Sequence, residues 1–162
     1  MSAMPATAPE PLAGDLCWLL SRASHALMTE QTAALEGSGI SPREHAVLVT
    51  AMSGSYTQSE LARLVGLDKT TMVVTVDELE ATGLAERRPS ASDRRARVIV
   101  VTEAGRRKVS EAQAILERVR EDVLSLLSPD ERQVLLRALG QLVCGRLSEP
   151  VQCSQPVRRP RQ

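Results

Sequence analysis

The sequence has no Phe, one Trp and one Tyr among its 162 residues, so its core cannot be built from stacked rings. Apolar burial must come from smaller side chains. Hydrophobic residues still make up 43% of the chain, mostly Ala, Val and Leu, a stock suited to packed helices. An excess of either charge is also missing, because 20 Lys and Arg balance 20 Asp and Glu. Bulk electrostatics therefore give no warrant for a polyanionic partner, and only the local distribution of charge can.

No stretch approaches the roughly 20 apolar residues that cross a bilayer. The opening MSAMPATAPEPLAG lacks the basic-then-apolar order of a signal peptide. A soluble, cytoplasmic protein with no membrane partner is expected. The three cysteines, Cys17, Cys144 and Cys153, have no CxxC spacing, which excludes a disulfide framework and leaves reduced thiols as the expectation. Glycine-rich phosphate loops, GxSxG and HExxH are absent, and Ser, His and Asp form no suggestive group. The expectation is no enzyme, no catalytic residues and no cofactor.

What is present is punctuation. Residues 1–11 and 148–162 are rich in proline and small or basic residues, including Arg158, Arg159 and Arg161, and read as disordered tails. Residues 12–147 read as one domain. Leu12, Leu16, Leu19, Leu20, Ala23 and Leu27 recur at helical spacing over a first helix of about 12–36. Ser41-Pro42-Arg43-Glu44, Thr57-Gln58-Ser59-Glu60 and Ser128-Pro129-Asp130-Glu131 are capping boxes, which start a second, a third and a sixth helix. Gly66 permits a tight turn, and Asp68 can cap a fourth helix that ends at Gly83. LAERRPSASDRRARVIVV reads as a two-stranded hairpin, and Thr102-Glu103 opens a fifth helix to about Leu127. The fold class is mainly α with a small β-wing.

A short helix, a glycine turn and a longer helix over 57–83 make a helix-turn-helix, whose second helix can enter a DNA major groove. On that helix Met72, Val76 and Leu79 share the face to be buried. Thr70, Val74 and Asp77 fall opposite, with Lys69 and Thr71 at its start. Lys69 suits a phosphate or guanine, Thr70 and Thr71 suit bases or phosphates, Val74 suits a thymine methyl, and Asp77 should face away. Next to it, Arg87, Arg88, Arg94, Arg95 and Arg97 face a single acid, Asp93, a local excess of four positive charges in eleven residues. An arginine at a hairpin tip suits a narrow minor groove. Arg94 and Arg95 hold that place, with Asp93 expected to brace a neighbouring guanidinium.

The run ELARLVGLDKTTMVVTVDELEATGLAERRPSASDRRARVIVVTEAGRRKV resembles the multiple antibiotic resistance regulator (MarR) family. Gly83-Leu84, Arg88, Asp93, Arg95 and Val101-Thr102-Glu103-Ala104-Gly105 occur in that family's order. The resemblance implies a winged helix-turn-helix lobe at about 38–104, with dimerisation helices at about 12–36 and 103–147. It also implies that Arg95, with Arg94 beside it, enters the minor groove. Val73-Val74 stand where many members have Ser-Arg, so base contacts here should be more apolar.

Helices one, five and six carry more apolar surface than a winged helix needs. The sixth has Val134, Leu135, Leu136, Ala138, Leu139, Leu142, Val143 and Leu147, and the fifth has Val109, Ile115, Val119, Val123 and Leu126. A homodimer on a pseudo-palindromic double-stranded operator is expected. The resemblance implies a transcription repressor released by a small-molecule effector. Trp18, Arg22, His25, Met28 and His45 are candidate lining residues, though residues of these types are more often ordinary core or surface.

Cys17 is placed like the reactive cysteine of organic hydroperoxide regulators, a branch of the same family, so oxidant sensing is an alternative. Cys144 is its candidate partner, and buried inert thiols are the other reading. A metal site is not expected, since Cys17 and His25 are roughly 12 Å apart along a helix. A winged-helix protein-interaction module that binds no DNA is the remaining alternative.

Overall fold

In the computed structural model, residues 12–91, 93, 95–149 and 151 are described. Nearly all of both tails, and Arg94, lie outside them. The elements run α1 (Leu16–Ala34), α2 (Pro42–Met52), α3 (Gln58–Val65), α4 (Lys69–Ala81), β1 (Ala85–Pro89), β2 (Arg97–Val101), α5 (Glu103–Leu124) and α6 (Pro129–Cys144). The chain divides into two compact units, one up to Arg120 and one from Glu121.

The helix starts follow from local chemistry. Ser41, Thr57 and Ser128 each accept from the backbone N–H three residues on, while Glu44, Glu60 and Glu131 reach back to the cap. Each box satisfies donors that a helix start would otherwise leave orphaned. α1 begins four residues later than the leucine spacing predicts, because the Asp15 carboxylate accepts from Trp18 N at 2.6 Å and caps it there. It ends at Ala34, two residues short of the predicted end, with Gly37 following at φ 76°.

In the first unit, α4 turns Met72, Val76 and Leu79 fully inward, all at 0% exposure. They join Val47, Leu48 and Ala51 of α2, Leu61 and Ala62 of α3, Ile99 and Val101 of β2, and Val109, Ala112 and Leu116 of α5. β1 and β2 pair antiparallel, with Ala85 opposite Val101 and Arg87 opposite Ile99. The segment before α3 adds to β2, since Ile99 N donates to Tyr56 O at 3.0 Å. That bond anchors the wing to the helix-turn-helix. α1 contributes no buried residue.

In the second unit, Leu124 is buried. Arg132 donates to the Leu127 carbonyl at 3.0 Å and to Glu121 at 3.3 Å, which fixes the start of α6 against the chain before it. No residue of α6 is buried. Among the described residues, no helix is long and apolar enough to cross a membrane.

Thr102 joins wing and helix. Its hydroxyl donates to the Gly83 carbonyl at 2.7 Å and accepts from Gly105 N at 3.0 Å. Gly105 sits so close to β1 that an added Cβ would lie 2.1 Å from the Leu84 carbonyl oxygen. Backbone would have to move. Gly105→Ala should therefore destabilise the protein by about 2–3 kcal/mol, the scale of a core overpacking strain. Urea denaturation of the two chains checks this, and equal midpoints would contradict it.

Candidate nucleic-acid interface

α4 presents its start to solvent. Lys69 and Thr70 are exposed, Val74 is 50% exposed, and Val73 beside it is 42% exposed. Thr71 is half-buried. Its hydroxyl donates to Asp68 Oδ2 at 2.6 Å and its N–H donates to Oδ1 at 2.9 Å, so only its oxygen lone pairs remain for another partner. Those two bonds, the hydroxyl's first, hold the Asp68 carboxyl below the usual aspartate range. The cap thus keeps the first turn of α4 in place.

The wing is closed by its own backbone. Ser90 N donates to Ala96 O at 2.9 Å, and Ala96 N to Asp93 O at 3.0 Å. The Asp93 carboxylate accepts from Arg95 N at 2.9 Å, so it orders the tip through the main chain. The side-chain brace expected from sequence falls in part on Arg94, which lies outside the described residues. The Arg95 residue is exposed.

The arginine patch is not uniform. Arg87, three residues after Leu84, is the one turned toward the body of the lobe. It ion-pairs with Asp77 at 2.7 Å and with Glu80, both on α4. Its N–H also donates to Glu80 at 2.7 Å, and its guanidinium donates to the Gln58 side chain of α3 at 2.9 Å. Desolvation works to lower its pKa, but the bonds and charges of Asp77 and Glu80 outweigh that and raise it. The Asp77 expected to face away from DNA is therefore a wing anchor. Arg88, singled out by sequence order, is exposed and pairs only locally with Glu86. The Gly-Leu-x-x-Arg spacing and strand alternation together carry the signal for Arg87. Two arginines of the patch are thus compensated, and positive character concentrates toward Arg95 and Arg97.

The candidate effector residues separate. His25 and Met28 line an open groove of about 710 Å³ with Thr32, Leu35, Ile40 and Pro42. Trp18 is half-buried and Arg22 exposed on α1, and neither lines it. His45 is buried on α2 and is not among the residues that line the groove. Burial lowers its pKa, with Gln113 pulling the other way, and its Nε2 has no partner among the described residues. Cys17 and Cys144 are free and exposed. Among the described residues, no group of three His, Cys, Asp or Glu can hold a metal ion.

A family model described as MarR family matches residues 38–96, the span from the start of α2 to the wing. The crystal structure of CouR from Rhodococcus jostii RHA1, bound to p-coumaroyl-CoA, is 30% identical, covering 90% of this chain and all of that one with a TM-score of 0.73. This chain belongs to the MarR family. A MarR-family transcriptional regulator from Rhodococcus sp. RHA1 is 29% identical over 83% of this chain and 96% of its own, at a TM-score of 0.76. The repressor CouR bound to a 23-mer DNA duplex is 26% identical over 88% and 99%, at 0.75. The six helices and small antiparallel sheet are thus the winged helix of MarR-family transcriptional regulators.

The MarR-type lobe carries a charged cap at the start of α4, which gives stability a definite pH direction. A carboxyl whose folded pKa is lowered stabilises the fold above its unfolded value of about 4, and that contribution disappears as pH falls through the folded value. Asp68, Glu60 and Glu131 are all lowered in this way by cap hydrogen bonds. Stability should fall from about pH 4 downward. Asp68→Asn, which keeps an acceptor but cannot titrate, should show a shallower fall. Denaturation midpoints across that range test it, and parallel curves for the two proteins would refute the Asp68 share.

Proposed function

We propose that this chain is a homodimeric DNA-binding repressor of transcription, released from a pseudo-palindromic operator by a small molecule. The observation that carries the proposal is the pairing, within one packed unit, of an exposed α4 start bearing Lys69, Thr70 and Val74 with an arginine-tipped wing anchored to the same helix. Lys69 meets phosphate, Thr70 and Thr71 meet base edges or phosphate, and Val74 meets thymine methyls. Arg95 and Arg94 enter the adjacent minor groove, ordered through Asp93. CouR bound to a DNA duplex supports this reading.

Dimerisation is supported by what one chain leaves uncovered. Leu16 and Leu19 of α1 are 57% and 42% exposed, and Val134, Leu136 and Val143 of α6 lie between 47% and 61%. Apolar faces of this extent call for a partner, and a twofold axis places two lobes on half-sites about one DNA turn apart. Effector release is supported by the groove at His25 and Met28 and by CouR bound to p-coumaroyl-CoA.

Selection of binding duplexes from a random-sequence pool, followed by affinity measurement against salt, tests the proposal. Lys69→Ala and Arg95→Ala should each weaken binding about tenfold and reduce the salt slope by about one. A wild-type chain that selects no duplex at low salt overturns it and favours a protein-interaction module.

Exposure of the Cys17 residue keeps oxidant sensing as a second reading. The single Tyr, Tyr56, packs against the core of the lobe, so no tyrosine supports a Cys17 thiolate in α1. If Cys17 is the switch, hydroperoxide should release DNA from the wild type but not from Cys17→Ser. Equal release from both ends that reading.

A further inference from the structure

Gln58, the first residue of α3, is held by the wing. Its carboxamide oxygen accepts from Arg87 Nη2 at 2.9 Å and from Nε at 3.3 Å. A guanidinium offers only donors, so the oxygen must face Arg87 and the amide nitrogen is left as the available donor. Gln58 also lines a cleft of about 180 Å³ together with Ser59, Lys69 and Val73, floored by the buried Ala62 and Met72. The polar groups around that cleft are a carboxamide N–H₂, a hydroxyl and an ammonium, and no carboxylate lines it. Acids nearby in the fold are engaged elsewhere. Glu60 is turned back onto Thr57, while Asp77 and Glu80 are held by Arg87.

We infer that this cleft seats one backbone phosphate of duplex DNA, with Gln58, Ser59 and Lys69 donating to its oxygens, and that Arg87 is the positioning residue that aims the Gln58 carboxamide. The inference rests on the DNA-binding reading above. Three donors converging on one anion match the way phosphates are bound by Gln, Ser and Lys side chains. The wing arginine thereby acts twice removed from DNA: it anchors β1 to α4 and orients the first side chain of α3. A sequence-independent contact of this kind sets the register of the reading helix without choosing a base.

Binding of a labelled mixed-sequence duplex by the full chain at several salt concentrations tests both parts. Gln58→Ala should weaken binding roughly fivefold to tenfold, the scale of one ordinary net hydrogen bond. Its salt slope should stay unchanged, because no charge is removed. Gln58→Glu keeps an acceptor for Arg87, so the fold is retained, but it places a carboxylate against the phosphate and should weaken binding further.

Arg87→Lys keeps the charge and loses the two-pronged donor. It should weaken binding at least as much as Gln58→Ala, and the double variant should lose clearly less than the sum of the two, because the Gln58 share is removed only once. Wild-type affinity in Gln58→Ala or Gln58→Glu overturns the phosphate seat. Additive losses in the double variant overturn the positioning role. A wild-type chain that binds no duplex overturns this inference together with the regulator reading, so the two failures are distinguishable.

Discussion

The half-buried guanidinium of Arg87 is the constraint on which the geometry of the lobe's exposed face depends. It rises from β1 and is shared by two carboxylates of α4 and one carboxamide of α3. Three elements that are separate in sequence are thereby locked at one point. The attachment is directional as well as attractive, because a planar fork of donors fixes angles that a point charge would leave loose. The wing and α4 are tied together for this reason.

Below that point the lobe is held by burial without rings. Leu48, Leu61, Met72, Val76, Leu79 and Ile99 fill the centre, and small residues allow the close approaches that aromatic side chains would have prevented. Gly105 against Leu84 and Thr102 against Gly83 are the tightest examples. The cost of such packing is sensitivity to a single added methyl. Its benefit is a rigid platform beneath the exposed Lys69, Thr70 and Val74.

The charge balance takes on a different meaning in three dimensions. Over the whole sequence the charges cancel, and within the wing they do not. Folding then cancels some of the local excess by pairing Arg87 with α4 and Arg88 with Glu86, so the free positive groups lie at the tip and at the start of α4. The field of so few charged groups is short-ranged in salt.

Element order, the starts of α2 to α6 and the buried stripe of α4 were legible in the chain alone, because capping boxes and i, i+4, i+7 apolar spacing act over a few residues. The same holds for the family resemblance, carried by local runs around the turn and wing. Gly-Leu-x-x-Arg spacing points at Arg87, but tertiary structure alone decided which groups it meets, Asp77 and Glu80 of α4 and Gln58 of α3. Tertiary structure also left His45 out of the lining of the groove that holds His25 and Met28, and left α1 and α6 without a buried residue. Those outcomes depend on strand facing and on contacts between distant segments, which spacing along one chain does not encode.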